Sequence, residues 1–131
     1  MKYLVDTHIF LWTLFSPKKI STNIRNILLD NEVSKYISLI TFWEISLKFS
    51  LGKISLTGFL PDELPSVAKE TGFEILNLDK DTVSTFYKLP RVGNKDPFDR
   101  MLAWQAICNG FHLLTYDKVF AEYKDYGLKI V

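Results

Sequence analysis

Cysteine occurs once in the 131 residues, as Cys108. One thiol excludes an internal disulfide and a cysteine-built zinc site, and Cys108 reads as a small core residue. No apolar run is long enough to span a membrane. The opening Met1-Lys2-Tyr3-Leu4-Val5-Asp6 meets a carboxylate too early for a signal-peptide core, so a cytoplasmic protein is expected. Net charge is nearly absent, at +1, and no global basic field announces nucleic acid. Histidine is scarce, and His8 and His112 read as packed or surface residues. Repeats, low-complexity segments and linkers are all missing, which leaves a single domain over residues 1–131.

What is present is apolar mass. Hydrophobic residues make up 47% of the chain and charged residues 24%, a globular balance with material for a real core. The small net charge fits an evenly mixed surface. It also fits an acidic pocket on a basic surface: gathering four of the 15 acids in one place leaves the 16 Lys and Arg in excess elsewhere, an arrangement suited to a polyanion held by metal ions.

The chain is organised around Lys95-Asp96-Pro97-Phe98-Asp99-Arg100 and the helix-forming run after it. Asp96 reads as an N-cap and Pro97 as the first helical residue. Asp99 then falls in the first turn, where a carboxylate favours the helix dipole. Phe98, Met101, Leu102 and Gln105 share one face, with Trp104 and Cys108 beside it. A lone acid there needs no function, so the other acids decide the matter.

Tyr3-Leu4-Val5 reads as a buried parallel strand that ends at Asp6. Ile9 to Phe15 reads as a short apolar helix. Either Ile9, Trp12 and Phe15 or Phe10, Leu11 and Leu14 can face the core, but hardly all six together. Ser21 caps a second helix. Tyr36 to Ile40 is a second strand, and Thr41 caps the helix Phe42–Lys48, with Glu44 closing a capping box. A helix over 62–71 stops at Gly72, and Glu74 to Leu78 is a third strand. Asp79 or Asp81 caps a helix running to Lys88. Phe111 to Thr115 is a fourth strand ending at Tyr116-Asp117, a short helix may span Lys118–Tyr123, and Leu128 to Val131 closes the sheet at its edge.

Strands alternating with helices predict a parallel sheet covered on both faces. Ligands of such sheets bind beyond the carboxyl ends of the strands. Asp6 and Asp117 fall at those ends, and Glu44 and Asp99 begin helices that follow or face them. Crowded carboxylates repel one another unless a hard cation resolves the conflict, and Mg²⁺ takes such oxygen ligands.

Leu4-Val5-Asp6-Thr7-His8, Thr41-Phe42-Trp43-Glu44-Ile45 with Lys48, Gly52 and Lys53, Asp96-Pro97-Phe98-Asp99-Arg100, and Leu114-Thr115-Tyr116-Asp117 together resemble the successive motifs of PIN-domain ribonucleases, most of all the VapC-like toxins of toxin–antitoxin pairs. The resemblance implies a three-layer α/β/α fold with strand order 3-2-1-4-5. It implies a Mg²⁺- or Mn²⁺-dependent endoribonuclease, a homodimer, and inhibition by a cognate antitoxin. It places the catalytic and metal-binding roles on Asp6, Glu44, Asp99 and Asp117. Thr7 and Thr115 would orient the carboxylates. Asp96 is assigned to capping and support, in a role exchangeable with that of Asp99.

Many relatives carry His-Arg where this chain has Asn94-Lys95, and a basic residue where Tyr116 stands. Lys48, Lys95 and Arg100, with Lys53, Arg91 and Lys118, are the cations nearest the expected RNA rim. Trp12, Phe15, Phe42, Trp43 and Phe49 are read as a groove shared by the first helix and the Phe42–Phe49 helix, for an antitoxin segment or for the dimer. Two other classes stay open: a phospho-acceptor α/β domain with an acidic Mg²⁺ pocket, and a fold kept for binding alone.

Overall fold

Lys2–Val5 forms strand β1, whose last three residues are buried because helices cover both of its faces. In the computed structural model, which describes all 131 residues, β1 lies at the centre of a five-stranded sheet. Its parallel neighbours are β2 (Ser34–Ser38) and β4 (His112–Leu114), with Leu4 level with both Tyr36 and Leu113. Strand β3 (Glu74–Leu76) adds to β2, and β5 (Lys129–Ile130) adds to β4. The order is β3-β2-β1-β4-β5. The all-parallel sheet expected from alternation is present, in the strand order that the resemblance implied.

Alternation along the strands splits the core in two. Tyr3, Val5 and Leu114 face a cluster with Ile9, Phe10, Ile24, Ile45, Leu64 and Phe73. Leu4 and Leu113 face the other, with Ile40, Leu102, Ala103, Ala106, Phe111, Phe120 and Tyr123. Helices α1 (Thr7–Phe15), α2 (Thr22–Leu29) and α4 (Leu64–Glu70) supply the first layer. Helix α3 (Leu39–Ser50) gives Ile45 to one cluster and Ile40 to the other. Helix α5 (Lys80–Ser84) precedes α6 (Pro97–Asn109), which anchors the second layer and stops at Gly110, held at φ 69° where a side chain would be strained.

Several boundaries differ from the reading of the sequence. Helix α3 starts at Leu39 with Ser38 as its cap, whose Oγ accepts the Ile40 N–H. The β-branched run to Ile40 resembled a strand, but its end is the first helical turn, and Thr41 is a buried helical residue rather than a cap. Helix α5 ends at Ser84, and a 3₁₀ turn covers Phe86–Lys88. The segment Lys118–Tyr126 is 3₁₀ throughout. On α6 the buried stripe is Leu102, Ala103, Gln105 and Ala106. Phe98 and Met101 are only half-buried. Cys108 is exposed, not core, because it lies off that stripe. Neither alternative for α1 holds: Ile9 and Phe10 are both fully buried, and Leu11, Trp12, Leu14 and Phe15 are half-buried around them. The helix is apolar all round because loops wrap it; Phe15, for one, meets Phe59 edge to face at 6.0 Å.

Candidate active site

Asp6 follows β1 directly and caps α1, so its carboxylate is fixed by two short connections. Its Oδ1 accepts the N–H groups of His8 and Ile9 at 2.7 and 3.2 Å, and its Oδ2 accepts the Thr115 hydroxyl. The same Thr115 oxygen accepts the Asp117 N–H at 3.0 Å. One hydroxyl therefore ties the end of β1 to the end of β4 and sets Asp117 beside Asp6. Asp117 in turn caps the next segment, its Oδ1 accepting the Val119 N–H at 3.1 Å. Burial pushes the Asp6 carboxyl above its ordinary range, against the pull of Thr115 and the two N–H groups.

Glu44 arrives from α3 and is buried. Thr7 donates to its Oε1 at 2.8 Å, and Thr7 and Thr41 share a 3.1 Å hydrogen bond. Its Oε2 meets Lys48 Nζ at 2.6 Å. Burial works to lower the Lys48 pKa, but Glu44 and the charges of Asp96 and Asp99 outweigh it and hold the ammonium above its usual value.

Asp96 caps α6 as its sequence predicts: its Oδ1 accepts the N–H groups of Phe98 and Asp99 at 2.8 and 3.3 Å. Asn94 completes the turn, accepting the Asp96 N–H through Oδ1 and donating to Asp99 Oδ2 at 3.3 Å. Burial first, then the charges of Asp96, Glu44 and Asp117, lift the Asp99 carboxyl to about 6, against the Asn94 bond. Acids from three different connections therefore act on Asp99 at this end of the sheet, and Asp6 joins them through Thr115.

The donors are all oxygens, the set that hard divalent cations take. No three of these side chains close into a ready-made metal cage. Oxygen donors of this kind suit a hard divalent cation that takes few carboxylates and fills its other positions with water.

Charge that burial raises gives a pH signature. Asp99 titrates near 6 when folded, above its ordinary 3.8, so between those values the folded chain holds the extra proton. Its contribution to stability is full at low pH and is lost as pH rises through about 6. In EDTA, Asp99→Asn is expected to melt a few degrees above the parent at about pH 8 and alongside it at about pH 4. Equal melting at both values would show Asp99 to be an ordinary surface acid.

The rim differs from the sequence reading. Lys48 spends its charge on Glu44, and Arg100 donates to the carbonyls of Pro90 and Leu89 and lies 5.2 Å over the Phe86 ring. Lys95 is exposed and lines a cavity of about 270 Å³ with Arg91, Asn94 and Arg100. A second cavity, about 300 Å³, holds Asp117 with Lys118 and Lys124. Lys124 gave no signal in the sequence, since only the 3₁₀ turn brings it round.

The single aromatic groove is not present. Trp12 lies 5.4 Å from Tyr116 and lines a pocket with Asp6, His8 and Asp117. Trp43 lies 5.3 Å from Phe98 in a separate apolar pocket of about 390 Å³, with Ile40, Leu47, Phe86, Pro97 and Met101.

Compared with known families, residues 3–126 match the model of the PIN domain. No curated protein matches the chain in sequence. Among solved structures, it is similar to VapBC2 from Rickettsia felis bound to a DNA fragment from its promoter, with 19% identity, TM-score 0.69, and coverage of 100% of this chain and 98% of that one. It is similar to DNA-bound VapBC from Salmonella typhimurium at 23% identity and TM-score 0.67, covering 100% and 97%. VapBC-5 from Mycobacterium tuberculosis, a member of the VapBC family of toxin–antitoxin systems, gives 18% identity and TM-score 0.61, covering 99% and 97%.

Proposed function

The chain belongs to the PIN-domain family, and from that premise we propose that it is a metal-dependent endoribonuclease, the VapC-like toxin of a toxin–antitoxin pair. The observation that carries this reading is the Thr115 hydroxyl, which ties Asp6 to the Asp117 backbone beyond the carboxyl ends of β1 and β4, where the charges of Asp96, Glu44 and Asp117 also bear on Asp99. Negative charge concentrated beyond the strand ends is costly in a protein that makes no use of it.

In this reading Asp6, Glu44, Asp99 and Asp117 form the catalytic and metal-binding set, supported by Thr7, Asp96 and Thr115. Mg²⁺ or Mn²⁺ held by these carboxylates would supply positive charge for the phosphoryl oxygens and would lower the pKa of water at the site. The chain's own part is orientation. Thr115 aims Asp6, Thr7 aims Glu44, and Asn94 aims Asp99. Lys95, Lys118 and Lys124 on the rim would take backbone phosphates, which gives grip without sequence choice. Lys48 and Arg100 already have partners within the protein, Glu44 for the one and the Pro90 and Leu89 carbonyls for the other.

A cytoplasmic nuclease needs a neutralising partner, and solved structures of similar fold are of VapBC. We assign Trp12 and Phe15 on α1 to the antitoxin, since Trp12 adjoins Asp6 and Asp117. Trp43, 62% exposed over its apolar pocket, suits a homodimer contact. No helix is long and apolar enough to cross a membrane. The phospho-acceptor alternative finds no support: Asp6 is 3% exposed with both oxygens hydrogen-bonded, a poor nucleophile for an incoming phosphoryl group.

The test is incubation of the purified protein with a panel of structured RNAs in Mg²⁺, in Mn²⁺ and in EDTA. Discrete fragments are expected with either metal and none in EDTA. Intact RNA in all three, or cleavage that EDTA leaves untouched, would overturn the reading.

A further inference from the structure

Building on the nuclease reading, we propose that Lys48 is a built-in cation that fills the Glu44 side of the acidic pocket, so that the pocket takes one divalent ion and not two. The case starts with the oxygens. Glu44 is 5% exposed, and both of its oxygens already have partners: Thr7 on Oε1 at 2.8 Å and Lys48 on Oε2 at 2.6 Å. Asp6 also has a partner on each oxygen, but these are neutral N–H and O–H donors, which leave its carboxylate further acceptor sites for a cation. Asp99 and Asp117 differ. Each has one oxygen bonded within the protein, Asp99 Oδ2 to Asn94 and Asp117 Oδ1 to Val119, and the other oxygen receives nothing. The oxygens with no partner in the protein therefore lie on Asp99 and Asp117, and the one carboxylate already facing a cation is Glu44.

An ordinary pair at this helical spacing has both partners in water and holds neither in place. Here one partner is buried and pinned by Thr7, and the ammonium, 35% exposed, sits where the fields of Asp96 and Asp99 also reach. A second divalent ion on Glu44 would have to displace a cation from a desolvated carboxylate or sit against it. Both options are opposed by like-charge repulsion at short range. Two-metal nucleases use the second ion to neutralise one oxygen of the reacting phosphate. In this chain a tethered ammonium supplies the positive charge on that side, at fixed position and independent of metal supply. Lys48 is on this account a positioning residue for the metal.

Calorimetric Mn²⁺ titration of the full chain tests it, near neutral pH and without RNA. The wild-type protein is expected to bind one Mn²⁺ per chain. Lys48→Met keeps the aliphatic stem, removes the charge and frees Glu44; it is expected to bind two. Lys48→Arg restores one. The double variant Lys48→Met/Glu44→Gln removes both charges, folds without an unpaired buried carboxylate, and returns to one. Two ions in the wild type, one ion in Lys48→Met, or two in the double variant would each overturn the assignment. RNA cleavage by the wild type, measured in parallel, separates the two readings. The expected stoichiometries without metal-dependent cleavage would remove the nuclease reading and keep the Lys48 assignment, and cleavage with unchanged stoichiometries would do the reverse.

Discussion

Asp6→Asn is expected to lose RNA cleavage by on the order of a hundredfold or more and to melt no lower than the parent. The substitution keeps what Asp6 does for the fold. An asparagine oxygen still caps α1 and accepts the N–H groups of His8 and Ile9. It removes the charge and reverses the Thr115 contact, where the amide N–H₂ can only donate to the hydroxyl oxygen. That charge is buried and its pKa is raised, so at neutral pH it burdens the folded state, and its loss relieves the strain on the metal-free protein. Single-turnover cleavage and melting curves in EDTA read the two effects separately. Undiminished cleavage in the purified variant would remove Asp6 from the machinery, and a clearly lower melting temperature would make its role structural.

The second large effect is on stability. Gln105→Ala is expected to destabilise the fold by about 3 kcal/mol and to lower cleavage with it. Gln105 is 1% exposed. Its Oε1 accepts the Ser38 hydroxyl at 2.5 Å, and its Nε2 donates to the Asn77 carbonyl at 3.1 Å. Truncation leaves a hole and strands the fully buried Ser38 hydroxyl. Ser38 caps α3, which carries Glu44, and Gln105 lies on α6, which carries Asp99. The bond thus sets the spacing between two acids that it does not touch. Gln105→Leu, which fills the space but not the bond, should recover part of the loss. Urea unfolding measures it, and an unchanged midpoint in Gln105→Ala would refute the role.

Much of this was legible locally. The D-P-x-D opening of α6 carries its own cap, first residue and first-turn acid within four positions, and the structure reproduces it. Asp6 was legible for the same reason, since a strand that runs out at an acid needs no distant information. The alternation of strands and helices gave the parallel sheet, and the resemblance to PIN-domain ribonucleases gave its order. Glu44 shows where local reading fails. Thr41 and Glu44 have the spacing of a capping box, yet Thr7, 37 residues away from Glu44, holds the carboxylate, and the helix begins earlier. Lys48 and Arg100 fail for a related reason. A cation in a sequence looks solvated, and only tertiary packing reveals the Glu44 carboxylate or the Leu89 and Pro90 carbonyls that consume it. The first helix carries more large apolar side chains than one stripe can hide, but that Trp12 and Trp43 line separate pockets depends on distant partners, Tyr116 for the one and Phe98 for the other.

The central place of β1 has a consequence for how the protein is made. Strand β1 cannot find its second neighbour until β4 has been synthesised, and Asp6 meets Thr115 only across a separation of 109 residues. Long-range parallel pairing of this kind is slow to close. A nascent chain, or one cut short before β4, carries three of the four acids but no means of assembling them. On the proposed nuclease reading, the site therefore forms in one step, when β4 pairs with β1, and chains that stop short of β4 are expected to leave RNA intact.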